Sequence, residues 1–206
     1  MTMTSSLRRA LLVGLSSALL LGLAGCFGSA PPVPKEQYFR LISSSDPAPV
    51  GNPLSGTVEV PPFKAEGVMG ERPLLFTQDN GMKLEQRNYA YWTDPPPAML
   101  RDQLIAFLGA AKLADQVVPS ELRVKAQYRV EGRIKRLEQL AGTRNGGAIT
   151  LELALIDKET DDIVASGIYE VTKDASGPNI DDAVHALNAG LDEIFAQFAA
   201  DLAKRG

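Results

Sequence analysis

The 206-residue chain has one cysteine, one histidine and one tryptophan, and aromatics make up only 6% of it. A single thiol forms no internal disulfide. One histidine leaves only carboxylates for a metal, which suit hard ions rather than zinc, so no metal centre is expected. A Ser-His-Asp hydrolase would have to use His185, yet no Gly-x-Ser-x-Gly turn occurs to present a serine to it. His185 instead reads as a helix-flank residue beside Val184, and no enzyme activity is expected. The Gly-x-x-x-x-Gly-Lys-Ser/Thr phosphate loop of an ATPase motor is missing as well. No apolar run reaches the roughly 20 residues that cross a bilayer as a helix. Neither an internal repeat of solenoid period nor a long block of one charge is present.

What the chain does have is a basic start at Arg8 and Arg9, an apolar run of about 14 residues at 10–23, and Leu23-Ala24-Gly25 ahead of Cys26. This is the pattern of a bacterial lipoprotein signal: an aliphatic residue three places before the cysteine, two small ones, and cleavage before Cys26. The alternative is an ordinary secreted protein whose cysteine happens to lie near its cleavage site. In the lipoprotein reading, Cys26 carries a covalent diacylglycerol and an N-acyl chain, and no other cofactor is expected. One acyl chain binds a membrane only marginally, at about 10⁴ M⁻¹, but three compound into a lasting anchor. Phe27 stands where enterobacterial inner-membrane retention relies on Asp, which favours the outer membrane, facing the periplasm. Pro31, Pro32 and Pro34 make the segment after the anchor a semi-rigid spacer. The resulting division is a signal peptide at 1–25, a lipidated tether at 26–36 and a single periplasmic domain at 37–206. Without Arg8 and Arg9 the formal charge moves from −4 to about −6, a balance with no general affinity for nucleic acid.

Hydropathy patterns place strands at 38–42 and 57–63, the latter limited by Pro61 and Pro62. Residues 73–78 and 82–87 flank Asp79-Asn80-Gly81, whose Asn-Gly step suits a type I′ turn. Thr93 or Asp94 is expected to cap a helix opened by prolines 95–97, with Leu100, Leu104, Phe107, Leu108 and Ala111 on its apolar face. A loop near Pro119 precedes a strict alternation at 122–135, read as one half-buried strand. Ile149, Leu151, Leu153 and Leu155 share a parity, and 163–171 completes a second hairpin. A last helix begins at Asn179, with Ile180, Val184, Leu187, Leu191, Ile194, Phe198 and Leu202 as its apolar stripe, and has acids at its start and Lys204 and Arg205 at its end, matching the helix dipole. The expected fold is α+β: a two-layer sandwich in which two main helices pack on one face of an antiparallel-rich mixed sheet.

Three features bear on binding. Arg123, Lys125, Arg129, Arg133 and Lys135 project from one side of the 122–135 strand in an otherwise acidic protein. They are covered by acidic neighbours, or solvated, or they meet an anionic partner. Tyr91 and Trp92 pose a similar choice between an interface and a core plug ahead of the helix. Asp157, Glu159, Asp161 and Asp162 crowd one turn, but without the spacing of an EF-hand, and read as a solvated hairpin tip rather than a Ca²⁺ loop.

Four segments carry a family resemblance: Tyr38-Phe39-Arg40-Leu41, Glu71-Arg72-Pro73-Leu74-Leu75-Phe76, Tyr91-Trp92-Thr93-Asp94-Pro95-Pro96 and Tyr128-Arg129-Val130-Glu131-Gly132-Arg133-Ile134. In their order and spacing the chain resembles the ABC-type transport auxiliary lipoproteins, PqiC-like partners of MCE-type lipid transport systems. It departs from their pattern at Tyr91 and Thr93, which replace a basic residue and an acidic or small one around the tryptophan. The resemblance implies a non-catalytic docking component that works with an inner-membrane permease, a cytoplasmic ATPase and a periplasm-spanning MCE protein conducting phospholipid. Docking or self-association into a homo-oligomer is expected through the open sheet face and the hairpin around Asn80. Reversing Arg129 and Arg133 to Glu is expected to weaken that docking without altering the melt. A regulator or assembly factor of another envelope machine, such as a peptidoglycan synthase, is the alternative.

Overall fold

Tyr128–Ala141 (β7) is the spine on which the sheet is built. Along one edge it pairs antiparallel with Asn145–Asp157 (β8) through its whole length, from Tyr128↔Asp157 to Ala141↔Asn145, and β8 pairs antiparallel with Ile163–Asp174 (β9). The other edge of β7 is shared by three short parallel partners in succession. Leu54–Val60 (β2) takes Tyr128 and Arg129, Lys64–Ala65 (β3) takes Arg133 and Ile134, and Pro73–Thr77 (β4) takes Gln139 and Leu140. The sheet therefore forks. One branch continues from β2 to Ala114–Pro119 (β6); the other runs from β4 to Leu84–Trp92 (β5) and then to Gln37–Phe39 (β1). The computed structural model describes residues 32–43, 46–51, 53–78 and 81–204. The signal, the cleavage site and Cys26 lie outside the described residues, as do Asp79 and Asn80 of the expected type I′ turn. Residues 32–35 are exposed and carry no regular structure, and Glu36–Gly206 forms one compact unit.

Two helices complete the α+β fold: Pro96–Ala110 (α1) and Ile180–Ala203 (α2). On α2 the expected stripe is buried, with Val184, Leu187, Leu191, Ile194, Phe198 and Leu202 turned to β7, β8 and β9. Its N-terminus is closed by a reciprocal capping box between Asn179 and Asp182. Helix α1 packs on β6 and touches α2, where the Phe107 and Phe195 rings lie 5.7 Å apart. Close approach dictates two glycines. A Cβ on Gly132 would lie 2.7 Å from the Phe63 ring, and one on Gly147 would lie 2.8 Å from the backbone nitrogen of Leu187.

The structure corrects four local expectations. The strand expected at 122–135 starts only at Tyr128, because Arg123 takes a left-handed φ of 52° after the 3-10 turn Ser120–Leu122. Leu122 and Val124 are 60% and 46% exposed, so the alternation there is not a buried face. The supposed loop before Pro119 is strand β6, which tolerates the proline at its end on an edge of the sheet. Neither Thr93 nor Asp94 caps α1; Pro95 holds that position without a side-chain bond, and Pro96 follows it. The first strand is shorter than 38–42, since beyond Phe39 the backbone turns to the helices: Ile42 N–H donates to Asn188 Oδ1 (3.0 Å) and Ser43 N–H to Gln103 Oε1 (2.8 Å).

The pairing of β4 with β5 is irregular. Between the pairs Leu75↔Gln86 and Pro73↔Tyr91 the ladder slips, and inside that slip Tyr89 adopts φ 61°. Left-handed backbone is uncommon for an aromatic residue, and bulges of this kind redirect the side chains beside them.

Candidate functional site

On β2, opposite Arg129 of β7, Glu59 lies beneath two cations. Arg129 Nε donates to Glu59 Oε1 at 2.7 Å and Lys158 Nζ lies 3.0 Å from the same oxygen, while the Glu59 side chain is only 7% exposed. Burial alone pushes this carboxyl up; the two hydrogen bonds and the charges of Lys158 and Arg129 outweigh it and hold the pKa below its ordinary value. Arg133 reaches Glu66 at 2.7 Å and Glu152 at 3.6 Å, and Lys64 meets Glu131 at 2.9 Å. Acidic cover is thus the outcome for Arg129 and Arg133. Arg123 and Lys125 belong to the exposed segment before β7 and, among the described residues, join no ion pair. The five candidate basic residues do not form one stripe; Lys135 is exposed and, among the described residues, joins no ion pair.

Tyr91 and Trp92 part in the same way. Trp92 is 1% exposed and plugs the core, which settles the choice for that residue. Its backbone N–H donates to the Arg72 carbonyl at 2.7 Å, and Arg72 Nε donates to the Trp92 carbonyl at 3.0 Å. Tyr91 points the other way, 5.8 Å from the ring of Tyr38, with the Arg72 guanidinium 5.6 Å from the Tyr38 ring centre. Tyr38 donates to Glu36, a bond that holds its phenol pKa above the ordinary value. Together with Pro73 these residues line a cleft of about 340 Å³. Tyr38 escaped notice as a site residue because in sequence it is one aromatic of a short strand; its partners lie about 35 and 50 residues away.

His185 is exposed on α2, with no hydrogen bond to a serine or a carboxylate among the described residues. In the acidic turn Asp157 Oδ1 accepts from the N–H groups of Glu159 (2.8 Å) and Thr160 (3.2 Å), so that carboxylate closes the turn itself. A residue the sequence did not mark is Arg87. Beside the β5 bulge its guanidinium stacks 4.0 Å from the Phe76 ring centre, at a cleft of about 550 Å³. No spacing rule signals it, because the slip between β4 and β5 that aims it is a property of the pairing. Among the described residues, no helix is long and apolar enough to cross a membrane.

Known proteins agree with this architecture. Protein XCC0632 from Xanthomonas campestris, of family DUF330, superposes with a TM-score of 0.72 at 16% identity, over 82% of this chain and 96% of that one. The crystal structure of an uncharacterized protein gives 0.61 at 15% identity, over 83% and 98%. The PelC dodecamer from Paraburkholderia phytofirmans gives 0.48 at 15% identity, over 78% and 92%. For the first two, at these identities, the likeness is one of fold. No curated protein matches the chain. The model of the ABC-type transport auxiliary lipoprotein component matches residues 41–199, from the end of the first strand almost to the end of α2, and the protein belongs to that family of cell-envelope lipoproteins.

Proposed function

We propose that the protein is an outer-membrane lipoprotein that serves as a non-catalytic docking component of an MCE-type ABC system moving phospholipid across the periplasm. The observation that carries this reading is the conjunction of the family match over 41–199 with the Leu23-Ala24-Gly25-Cys26 signal. In this reading 1–25 is removed, Cys26 bears the lipid, 26–36 is the tether and 37–206 presents the docking surface. The permease, the ATPase and the periplasm-spanning MCE protein supply the motor and conduit functions whose motifs this chain lacks. Of the basic and aromatic candidates, Arg123, Lys125, Lys135, Tyr89 and Tyr91 are left available for a partner, since Arg129 and Arg133 answer to carboxylates and Trp92 is buried.

Mild crosslinking of the full-length protein in its native envelope, purification through a C-terminal tag and mass spectrometry of co-purified chains tests the reading. Recovery of an MCE protein is expected, with loss of that recovery in the Arg123→Glu/Lys125→Glu variant. Recovery of a penicillin-binding protein with no MCE component would overturn it in favour of a peptidoglycan-synthase regulator.

A further inference from the structure

Where β4 and β7 end, two clefts share a wall formed by Gln78 and residues 141–143. Three arginines approach them, and two are already neutralised: Arg136 lies 2.6 Å from Glu138, and Arg144 donates to Asp174 at 2.6 Å. Arg87 is different. Its Nε donates to Gln139 Oε1 at 3.0 Å and its guanidinium lies over Phe76, yet among the described residues no carboxylate comes within 4.0 Å of it. The stacking sets the plane of the guanidinium and the Nε bond sets its rotation, which leaves the two terminal nitrogens as an oriented pair of donors. Burial pulls its pKa down, with Glu85 opposing, but an arginine stays charged at neutral pH.

The support behind Arg87 is built rather than incidental. Gln139 is 2% exposed and donates its own Nε2 to Asn145 Oδ1 at 2.7 Å. Asn145 in turn donates to the carbonyls of Gly177 (2.6 Å) and Asn179 (3.0 Å), at the entry to α2. A chain of hydrogen bonds thus ties the arginine to the sheet and to the long helix. The helix dipole is not the source of positive charge here, because Asp181 and Asp182 occupy its first turn. The charge is that of Arg87, partly desolvated and, among the described residues, without an anion.

We propose that the Arg87 cleft is a binding site for a phosphate oxyanion, received by the terminal nitrogens of Arg87 in the cleft that Gln78 also lines. A cleft of about 550 Å³ has room for a tetrahedral group carrying a substituent. The phosphate belongs either to a phospholipid headgroup or to a small soluble phosphate. The headgroup source rests on the lipid-transport reading; the soluble source does not.

The test is calorimetric titration of the full-length lipoprotein in dodecyl maltoside with inorganic phosphate and, separately, with dihexanoyl-phosphatidylglycerol. Saturable binding is expected, weakened about tenfold or more in Arg87→Gln and less in Arg87→Lys, as loss of a charged bidentate donor dictates. Binding of the lipid alone assigns the site to headgroups. Binding of both, with phosphate displacing the lipid, assigns it to the phosphate group itself. Wild-type protein that binds neither, or an Arg87→Gln protein with a normal melt that binds equally well, would overturn the proposal and leave the transport reading standing. A readout without any variant is protection of Arg87 from phenylglyoxal, followed by mass spectrometry: the bound probe should shield Arg87 while Arg144 stays reactive, and equal modification with and without probe would count against the site.

Discussion

Glu59 accepts from Arg129 and lies beside Lys158 at a position almost closed to solvent, and this dictates how the sheet responds to acid. Its folded pKa lies below the ordinary 4.5, so as pH falls the unfolded chain takes up the proton first. The stabilisation is therefore complete above that value and is lost below it, as pH descends through the folded pKa. Melting temperature followed from about pH 7 down to about pH 3 should fall less steeply in Glu59→Gln than in the wild type; parallel curves would refute this role. The same pair revises what charge reversal does. Arg129→Glu places a carboxylate against Glu59 and leaves Lys158 to face both. Because Arg129 is 44% exposed, the cost is below that of breaking a fully buried pair, about 1–3 kcal/mol by denaturant titration. Arg133→Glu, at an exposed pair, should cost under about 1 kcal/mol. A double reversal therefore reports on stability as well as docking, and Arg123 with Lys125 is the cleaner pair to reverse.

Elements whose signals are local were legible in the sequence. Strand β8 shows the parity of Ile149 to Leu155, α2 shows its stripe from Ile180 to Leu202, and α1 its proline opening; all three are observed. What the sequence did not disclose is partner choice. Alternation at 122–127 looks like that at 128–135, but only the second is paired, at each step from Tyr128 to Ile134, because Arg123 turns left-handed and Gln127 N–H is taken by the Thr57 carbonyl. Strand β6 was invisible for the converse reason: it is held by its parallel pairing with β2 rather than by a pattern of its own. The candidate site divides likewise. Tyr91 and the basic residues were visible as types, whereas the tyrosine pair, the Glu59 bridge and the Arg87 cleft are made by contacts distant in sequence. The joint between α2 and β8 is testable at Gly147. An added methyl meets a backbone nitrogen and not merely a movable side chain, so Gly147→Ala should destabilise by about 1–3 kcal/mol in urea unfolding. An unchanged midpoint would mean that the helix rides further from the sheet than 2.8 Å implies.

At the scale of the whole molecule, attachment is expected to reside in one residue, Cys26, through the diacylglycerol on its sulfur and the acyl chain on its nitrogen. Replacing residues 1–26 by an ordinary secretory signal cleaved ahead of Phe27 should move the protein from the membrane fraction to the soluble periplasmic fraction while leaving the melt of the folded unit unchanged, as fractionation and circular dichroism would read. Retention at the membrane would point to a second attachment. The first strand then takes on another meaning. Strand β1 enters the folded unit with only three residues in register with β5, Gln37↔Ala90 to Phe39↔Trp92, and is followed by the Thr93 N–H bond to the Phe39 carbonyl. Any tension on the preceding chain is loaded along this parallel ladder in shear, and is passed on to α1 and α2 through the Gln103, Asn188 and Asp192 side chains that hold Ile42 and Ser43. With Cys26 as the expected anchor, load would enter through three register pairs against the thirteen that join β7 to β8, so β1 is expected to detach before the forked sheet opens.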